Sequence, residues 1–390
     1  MRRVLNSALA LLAANASLLG TMVEAKLVFA HYLVGGIDPN TDHARQDIQQ
    51  AAAVGFDAFA LNIGRPNEDW LISAVNQLFD YADSRDDFKL FFSFDFYQTN
   101  DINAHAVLYT RFANRPSYLR YGDAKLPVVS SYSGGGIGVE AWRNFKTTNN
   151  VYLIPNPEAD SNYYSQPATF FQTWGDVVDG VFSWETSWPD VSDTSGNNVS
   201  SARDEAVKKA ADSAGKTYTM GMFVRTSVQA LLRRFMLSPE FTEVITWNDA
   251  GESHYIGPSW PETVTKEILQ YGDTDENPHI GWQPLVSSFI NAFKSGASDT
   301  STMVPANGAS FAGAMWFQVR VTSGGHVLAT QAVAAGLSYN SIQGLKMGAQ
   351  LLELLDGNGN VMAKASSKKD VTDQPTDGFC NFNYYVAGLE

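Results

Sequence analysis

The sequence predicts an α/β protein, a (β/α)8 TIM barrel followed by a C-terminal accessory domain that resembles a β-sandwich. Short apolar runs with strand character recur eight times and alternate with segments of helical periodicity or polar loops. The runs are almost continuously hydrophobic, which is typical of parallel strands covered on both faces. After Phe293 the pattern changes to a Gly, Ser, Thr and Asp-rich stretch and then to alternating runs. These observations place the barrel first and the smaller β domain second.

The predicted strands are spaced by roughly 25 to 35 residues, as the repeating units of such a barrel require. In order they are Leu27–Tyr32, Ala58–Ile63, Lys89–Phe94, Pro127–Tyr132, Val151–Pro155, Gly180–Trp184, Tyr218–Phe223 and Glu243–Trp247. Helical spacing of apolar residues marks Ala44–Val54, Trp70–Ala82, Ala202–Ala214 and Val228–Leu237.

Four segments follow from these patterns: a signal peptide over residues 1–25, the barrel over 26–295, a linker over 296–310 and the accessory domain over 311–390. In the last segment, strand-like alternation appears in Met315–Val321, Leu351–Leu355 and Asn381–Val386. The sequence Asp356-Gly357-Asn358-Gly359 supplies a turn between two of its strands.

The N-terminal segment has the anatomy of a secretory signal peptide. Arg2 and Arg3 precede an apolar stretch, and the small residue Ala25 offers a cleavage point. Asn15 interrupts the stretch, which argues against a membrane-spanning helix. We therefore expect a secreted protein, extracellular or in the cell wall, with a glycosylation sequon at Asn198.

Composition excludes several classes of function. A net charge of −14 repels nucleic acid and anionic membrane surfaces, so a neutral or cationic ligand is expected. The six histidines lack the spacing of a zinc hydrolase, and the run Gly134 to Gly138 lacks the Lys-Ser/Thr of a phosphate loop. Cys380 is the single cysteine, so no internal disulfide is possible. We expect a monomer that needs no metal and no cofactor.

Polar and aromatic side chains gather at the C-terminal ends of the predicted strands, where barrel enzymes place their active sites. The candidate ligand-binding residues are His31, Tyr32, Asn62, Asp95, Asn156, Trp184, Glu185, Trp247, Asn248, His254 and Tyr255.

Asp249 and Glu252 are the candidate catalytic residues. They lie three residues apart in the segment from Trp247 to Pro258, directly after the last predicted strand. Two carboxyl groups are what glycosidic bond cleavage needs, one to protonate the leaving oxygen and one to activate water or attack the sugar. The plain alternative is that an acidic residue at a strand end caps the next turn.

Two other carboxyl groups compete for a role. Asp95 closes an apolar strand, where it either binds a sugar hydroxyl, supports a catalytic carboxylate or forms an ion pair with a loop Arg. Glu185 lies between Trp184 and Trp188, where burial would raise its pKa as a general acid requires. His31 and Asn62 are candidate hydroxyl ligands, although a hydrogen-bonded structural His is an equal alternative.

The motifs resemble those of glycoside hydrolase family 71, the fungal α-1,3-glucanases or mutanases. The matching segments are residues 29–35, 59–64, 91–95, 247–258 and 383–386. The resemblance implies an endo-acting, inverting hydrolase of α-1,3-glucan, with Glu252 as general acid and Asp249 as base, or the reverse. Where the family usually carries an aromatic residue, this chain has Ala250, which would weaken a sugar subsite if that ring stacks on substrate.

Two alternatives remain open at this stage. One is a hydrolase of another polysaccharide on the same barrel, with Glu185 and Asp95 as partners. The other is a non-catalytic wall protein that retains the groove as a glucan-binding site. For the accessory domain, covering the barrel is the default role and glucan binding is the alternative.

Overall fold

The computed structural model describes residues 26–185, 201–222, 237–272, 275, 277–299, 303, 317–333, 342–374, 383 and 385–388. Several predictions lie outside these residues: the signal peptide, the sequon at Asn198, Trp188, Cys380 and most of the helix Val228–Leu237. Among the helices of the described ranges, none has both the length and the apolar character needed to cross a bilayer.

A ring of parallel strands confirms the predicted barrel. Its sheet comprises β1 (Leu27–Leu33), β2 (Ala58–Ile63), β3 (Lys89–Asp95), β4 (Arg120–Tyr121), β5 (Leu126–Tyr132), β6 (Tyr152–Ile154), β7 (Gly180–Ser183), β8 (Thr217–Met222) and β9 (Phe241–Val244). Parallel pairing runs from β1 through β2, β3 and β5 to β6, and from β1 through β9 and β8 to β7. Two backbone hydrogen bonds, Asp179 N to Leu153 O at 2.9 Å and Phe182 N to Pro155 O at 3.0 Å, join β6 to β7. The eight parallel strands therefore close on themselves.

Helices cover the outside of the ring. They are α1 (His43–Val54), α2 (Asp69–Ala82), α3 (Ile102–Phe112), α4 (Val139–Asn149), α5 (Asn162–Ser165), α6 (Pro167–Trp174), α7 (Ala202–Ser213), α8 (Lys266–Gly272) and α9 (Gln283–Lys294). Local sequence sets their ends: Asp101 caps α3 by accepting from Asn103 N and Ala104 N, and Gly55 ends α1 at φ 109°. Helix α9 follows β9 and returns to the start of the barrel, where Gln283 accepts a 3.2 Å hydrogen bond from Gln50.

Aromatic side chains fill the N-terminal end of the ring. Phe29 packs edge-on to Phe91 at 4.9 Å between ring centroids and lies 5.2 Å from Phe241. The short strand β4, which sequence analysis missed, pairs antiparallel with β5 and brings Tyr121 to within 4.6 Å of Phe241. This end is therefore filled with hydrophobic rings, and the polar strand ends lie at the opposite face.

The accessory region contains one four-stranded antiparallel sheet. Its strands are β10 (Phe317–Ser323), β11 (His326–Val333), β12 (Gln350–Leu355) and β13 (Val361–Ser366), in the order β11-β10-β12-β13. The predicted turn at residues 356–359 connects β12 to β13, with Gly359 N bonded to Asp356 O at 3.0 Å. A sandwich needs a second sheet, and the described part of this region contains a single one.

Removing one ring from the filled end of the barrel should destabilise the protein strongly. Phe91 is fully buried, so Phe91→Ala leaves a cavity and should lower the free energy of unfolding by about 3–5 kcal/mol. Urea denaturation followed by intrinsic fluorescence measures this loss. Tyr97→Ala is the matched control, because this side chain is 78% exposed. A loss below about 1 kcal/mol for Phe91→Ala would contradict the packing described here.

Candidate active site

The loop that follows β9, residues 247–258 and hereafter the β9 loop, is tied to the barrel at its base. Trp247 N donates to His31 O at 2.7 Å, and Gly257 N donates back to Trp247 O at 2.8 Å. Thr246 N donates to His254 O at 2.7 Å. The loop therefore leaves and re-enters the barrel at nearly the same place, which fixes its protruding part over the strand ends.

Asn248 joins this loop to the end of β1. Its Oδ1 accepts from Leu33 N at 2.8 Å and its Nδ2 donates to Leu33 O at 3.0 Å. A side chain at Gly36 would lie 2.4 Å from the Asn248 amide nitrogen, so the backbone of the β1 loop approaches closely here. Both ends of the Asn248 amide are engaged by backbone, which makes this residue a support for the site rather than a sugar contact.

The two carboxyl groups of the β9 loop occupy opposite electrostatic environments. Burial, and then the neighbouring charge of Glu252, raise the pKa of Asp249. Glu252 has a side chain that is 64% exposed and lies 3.2 Å from His254 Nδ1, and this contact lowers its pKa. The pKa values of the two carboxyl groups are therefore moved apart, that of Asp249 upward and that of Glu252 downward.

Asp249 also has the capping role considered as its alternative. Its Oδ1 accepts from Glu252 N at 3.1 Å, and its own N donates to Thr246 Oγ1 at 2.9 Å. The capping contact holds the turn that separates the two carboxyl groups. This cap is compatible with a catalytic role for Asp249, because the cap uses Oδ1 and does not use Oδ2.

Below the loop, His31 forms part of a buried chain of polar groups inside the barrel. Its Nδ1 lies 2.7 Å from Glu243 Oε1, and its Nε2 lies 3.2 Å from Asn62 Nδ2. Since an amide nitrogen can only donate, Nε2 accepts and the proton resides on Nδ1, which donates to Glu243. Burial raises the pKa of Glu243, and the hydrogen bond from His31 opposes that rise.

Glu243 was not selected as a site residue from the sequence, because it belongs to an apolar strand. Its position along the chain could have identified it. Side chains alternate between the two faces of a strand, so residues 241, 243 and 245 share the face opposite to the outward-facing positions.

Aromatic and acidic side chains surround the opening above His31. Trp184 packs edge-on to His31 at 4.8 Å and lies 4.7 Å from Tyr132. Burial, together with the charges of Glu185, Asp95, Glu252 and Glu158, raises the pKa of Tyr132 to about 12. Four carboxyl groups from four separate strand ends thus face one tyrosine. Tyr132 therefore lies within the site, although the sequence analysis did not select it.

The structure bears on one alternative for Asp95, the ion pair with an Arg, and on the environment expected for Glu185. Asp95 accepts from Tyr97 N at 3.0 Å and Gln98 N at 3.3 Å, so backbone amides partner its buried carboxyl instead of an Arg. Glu185 is exposed among the described residues, whereas the sequence suggested that it is buried between Trp184 and Trp188.

The buried carboxyl in this part of the site is instead Glu158, which sequence analysis missed because it lies in a loop after β6. Burial raises the pKa of Glu158 to about 8. It accepts from Asn156 Nδ2 at 2.7 Å and from Glu185 N at 2.9 Å, and Tyr164 also donates to it. The same Nδ2 of Asn156 also donates to Phe182 O in β7, and Asn156 Oδ1 accepts from Ser133 N, directly after β5. Asn156 therefore links neighbouring strand ends through its side-chain hydrogen bonds.

Three predicted sugar contacts are not brought to the opening, because they are fully buried. Tyr32 points outward from β1 and donates to Asp47 in α1 at 2.6 Å. Trp247 lies 5.4 Å from Phe59 on the same outer side. Tyr255 stacks on His279 at 3.8 Å. Their burial and their contacts assign them to packing. For Tyr32, strand alternation also directs the side chain away from the interior that holds His31.

Ala250 is also buried. A side chain added at Gly272, the last residue of α8, would lie 3.1 Å from Ala250 Cβ, so this methyl group faces the helix. A large ring at position 250 would meet α8 before it met a sugar.

Two exposed aromatic side chains lie beside the opening and were not selected from the sequence. Trp70 is 41% exposed at the start of α2, with its ring 3.7 Å from where a Cβ at Gly35 would stand. Tyr97 is 78% exposed and follows Asp95. Trp70, in the first turn of α2, and Tyr97, in the turn after β3, both follow the C-terminal ends of strands, on the face that carries the carboxyl groups.

Comparison with known proteins gives a consistent assignment. The model of glycosyl hydrolase family 71 matches residues 24–319. The glucan endo-1,3-alpha-glucosidase agn1 of Schizosaccharomyces pombe is 32% identical over 70% of this chain and 67% of its own length. A mutanase of Penicillium rubens is 31% identical over 72% of this chain, and this chain spans 64% of that protein. The ascus wall endo-1,3-alpha-glucanase of S. pombe is 27% identical over 62% of this chain and 60% of its own length.

Among solved structures, the GH99 endo-alpha-mannosidase of Bacteroides thetaiotaomicron aligns with a TM-score of 0.53 at 11% identity, over 69% of this chain and 98% of that one. At this identity the similarity confirms the barrel fold alone.

The raised pKa of Glu158 should make stability depend on pH. Between about pH 4.5 and about pH 8 the folded protein holds a proton that the unfolded chain has lost, so stability falls as the pH rises through this window. Glu158→Gln should flatten that fall in Tm, measured by calorimetry across the window. Glu185→Gln removes a neighbouring charge that contributes to the raised pKa of Glu158 less than burial does, so it should change the slope less than Glu158→Gln. An unchanged slope in Glu158→Gln would show that Glu158 is ionised in the folded protein.

Proposed function

Because the chain belongs to glycosyl hydrolase family 71, we propose that it is a secreted, endo-acting hydrolase of fungal cell-wall α-1,3-glucan that works with inversion. The observation that carries this proposal is the pair Asp249 and Glu252, held on one short turn in opposite charge environments. Inverting hydrolysis needs one protonated and one ionised carboxyl group at the same time. The names of the S. pombe and P. rubens relatives support α-1,3-glucan as the substrate.

We assign the acid role to Asp249 and the base role to Glu252, the reverse of the arrangement favoured from the sequence. A general acid must hold its proton until the leaving oxygen takes it, and burial beside a like charge favours the protonated form of Asp249. A general base must be ionised, and the contact with His254 favours ionised Glu252. From the sequence, Glu252 was favoured as the acid because its longer side chain extends further toward the leaving oxygen. The electrostatic environments of the two carboxyl groups outweigh this difference in length.

The remaining side chains bind and orient the glucan. The rings of Trp70 and Tyr97 offer exposed apolar faces at the rim of the opening, the kind of surface on which sugar rings stack. Trp184 and Tyr132 form the floor beside His31, and Asp95 stands at the same edge. The surface charge of −14 suits a neutral polysaccharide. We propose a monomer, since every group assigned to the reaction belongs to one chain.

Incubation with insoluble α-1,3-glucan tests the proposed activity. The wild-type protein should release oligosaccharides whose new reducing ends are initially β-configured, as proton NMR follows directly. Asp249→Asn and Glu252→Gln should each lower turnover by roughly 10²–10⁴-fold while the fold is retained. Initially α-configured ends would exclude inversion. Binding without release would indicate a glucan-binding protein, and cleavage of only β-linked or α-1,4-glucan would indicate another substrate.

An α-1,3-linked oligosaccharyl fluoride separates the two catalytic roles, because fluoride departs without a proton. With this substrate Asp249→Asn should retain most of the wild-type rate, whereas Glu252→Gln should not, since water still needs a base. With glucan, wild-type activity should fall as the pH rises through the raised pKa of Asp249 and as it falls through the lowered pKa of Glu252. The opposite ranking of the two variants on the fluoride would restore Glu252 as the acid.

A further inference from the structure

The β9 loop has a second set of contacts on its outer side. Ser253 follows Glu252 directly and has a left-handed backbone, with φ 63°. Its hydroxyl donates to the side-chain oxygen of Asn383, which lies 130 residues further along the chain. This position is beyond residue 319, where the family match ends.

Asn383 contacts the loop on both sides of that hydroxyl. Its Nδ2 donates to Tyr255 Oη at 3.0 Å and to Tyr271 O, in α8, at 2.5 Å. Tyr271 in turn donates from its hydroxyl to Gly251 O at 3.2 Å. The residues before and after Glu252 are therefore linked, directly or through α8, to one amide side chain.

The segment that carries Asn383 is docked at a second point. Val386 N donates to Pro278 O at 3.1 Å. A side chain added at Gly281 would lie 2.7 Å from Val386 O, so the two backbones are in close contact. Asn383 therefore belongs to a segment that is held against the barrel independently of the contacts with Ser253.

We propose that Asn383 is a positioning residue that fixes the placement of Glu252, so that the C-terminal region beyond the barrel completes the active site. Glu252 is exposed, and among the described residues it is restrained from inside through its backbone contact with Asp249 and its contact with His254. The amide of Asn383 holds the turn from the opposite side. This inference rests on the proposed function for the role of Glu252, but the physical link between Asn383 and the loop does not.

Kinetics of Asn383→Ala and Ser253→Ala test this role. Each should lower kcat by about 10-fold or more, up to the order of 10²-fold that a misplaced group can cost, with little change in KM. The double variant should lose no more than Asn383→Ala alone, because both changes remove the same link. Asn360→Ala is the matched control. It removes an Asn side chain that donates to Asp356 at 2.9 Å in the accessory hairpin, and it should keep the wild-type kcat.

Hydrogen exchange gives a readout that does not depend on activity. Amides of residues 249–255 should exchange faster in Asn383→Ala than in the wild type and in Asn360→Ala. Unchanged exchange and unchanged kcat in Asn383→Ala would overturn the inference, as would an equal loss of kcat in Asn360→Ala. Should Asn383→Ala fail to fold, Ser253→Ala decides by the same two measurements. A wild-type protein without activity on α-1,3-glucan would overturn the proposed function alone, and the exchange result would still decide the role of Asn383.

Discussion

The paired hydrogen bonds between the Asn248 side chain and the Leu33 backbone set the geometry of this site. The ladder between β1 and β9 ends at Val244, and the amide of Asn248 continues it with a donor and an acceptor in the same arrangement as a strand residue. Because the next residue is Asp249, the position of one proposed catalytic group follows from this contact. The rest of the β9 loop is built outward from that point, through the turn that Asp249 caps and the contact of Glu252 with His254.

Carboxyl groups away from solvent are stabilised by different hydrogen-bond donors in different parts of the protein. Glu243, inside the ring, takes a hydrogen bond from His31 Nδ1. Asp47, outside the ring, accepts from Tyr32 and Trp260, and burial raises its pKa to about 7. Glu158 receives three hydrogen bonds and still has a raised pKa. Each solution keeps the cost of burial low without a cation, which suits a chain that is rich in acidic residues and binds, as we propose, an uncharged polymer.

The sequence was sufficient for the barrel because each strand is a continuous apolar run, and such runs are uncommon outside parallel sheets. The same continuity hid the direction of the side chains. With both faces buried, hydropathy cannot separate Tyr32 from His31, and only parity along the strand does so. Glu158 and β4 were missed because neither is part of an apolar run. Asn383 could be placed only by the folded chain, since its partners are more than a hundred residues away.

The contact between Asn383 and the β9 loop has a consequence for the order of biosynthesis. Domains generally fold in the order in which they are synthesised. All strands of the barrel, and the loop with Asp249 and Glu252, precede Asn383 in the sequence. The barrel can therefore form on the ribosome while its catalytic turn still lacks the outer support. Under our proposal, hydrolytic competence arrives after the accessory sheet has been translated, so a prematurely terminated chain would be a folded barrel with an impaired site.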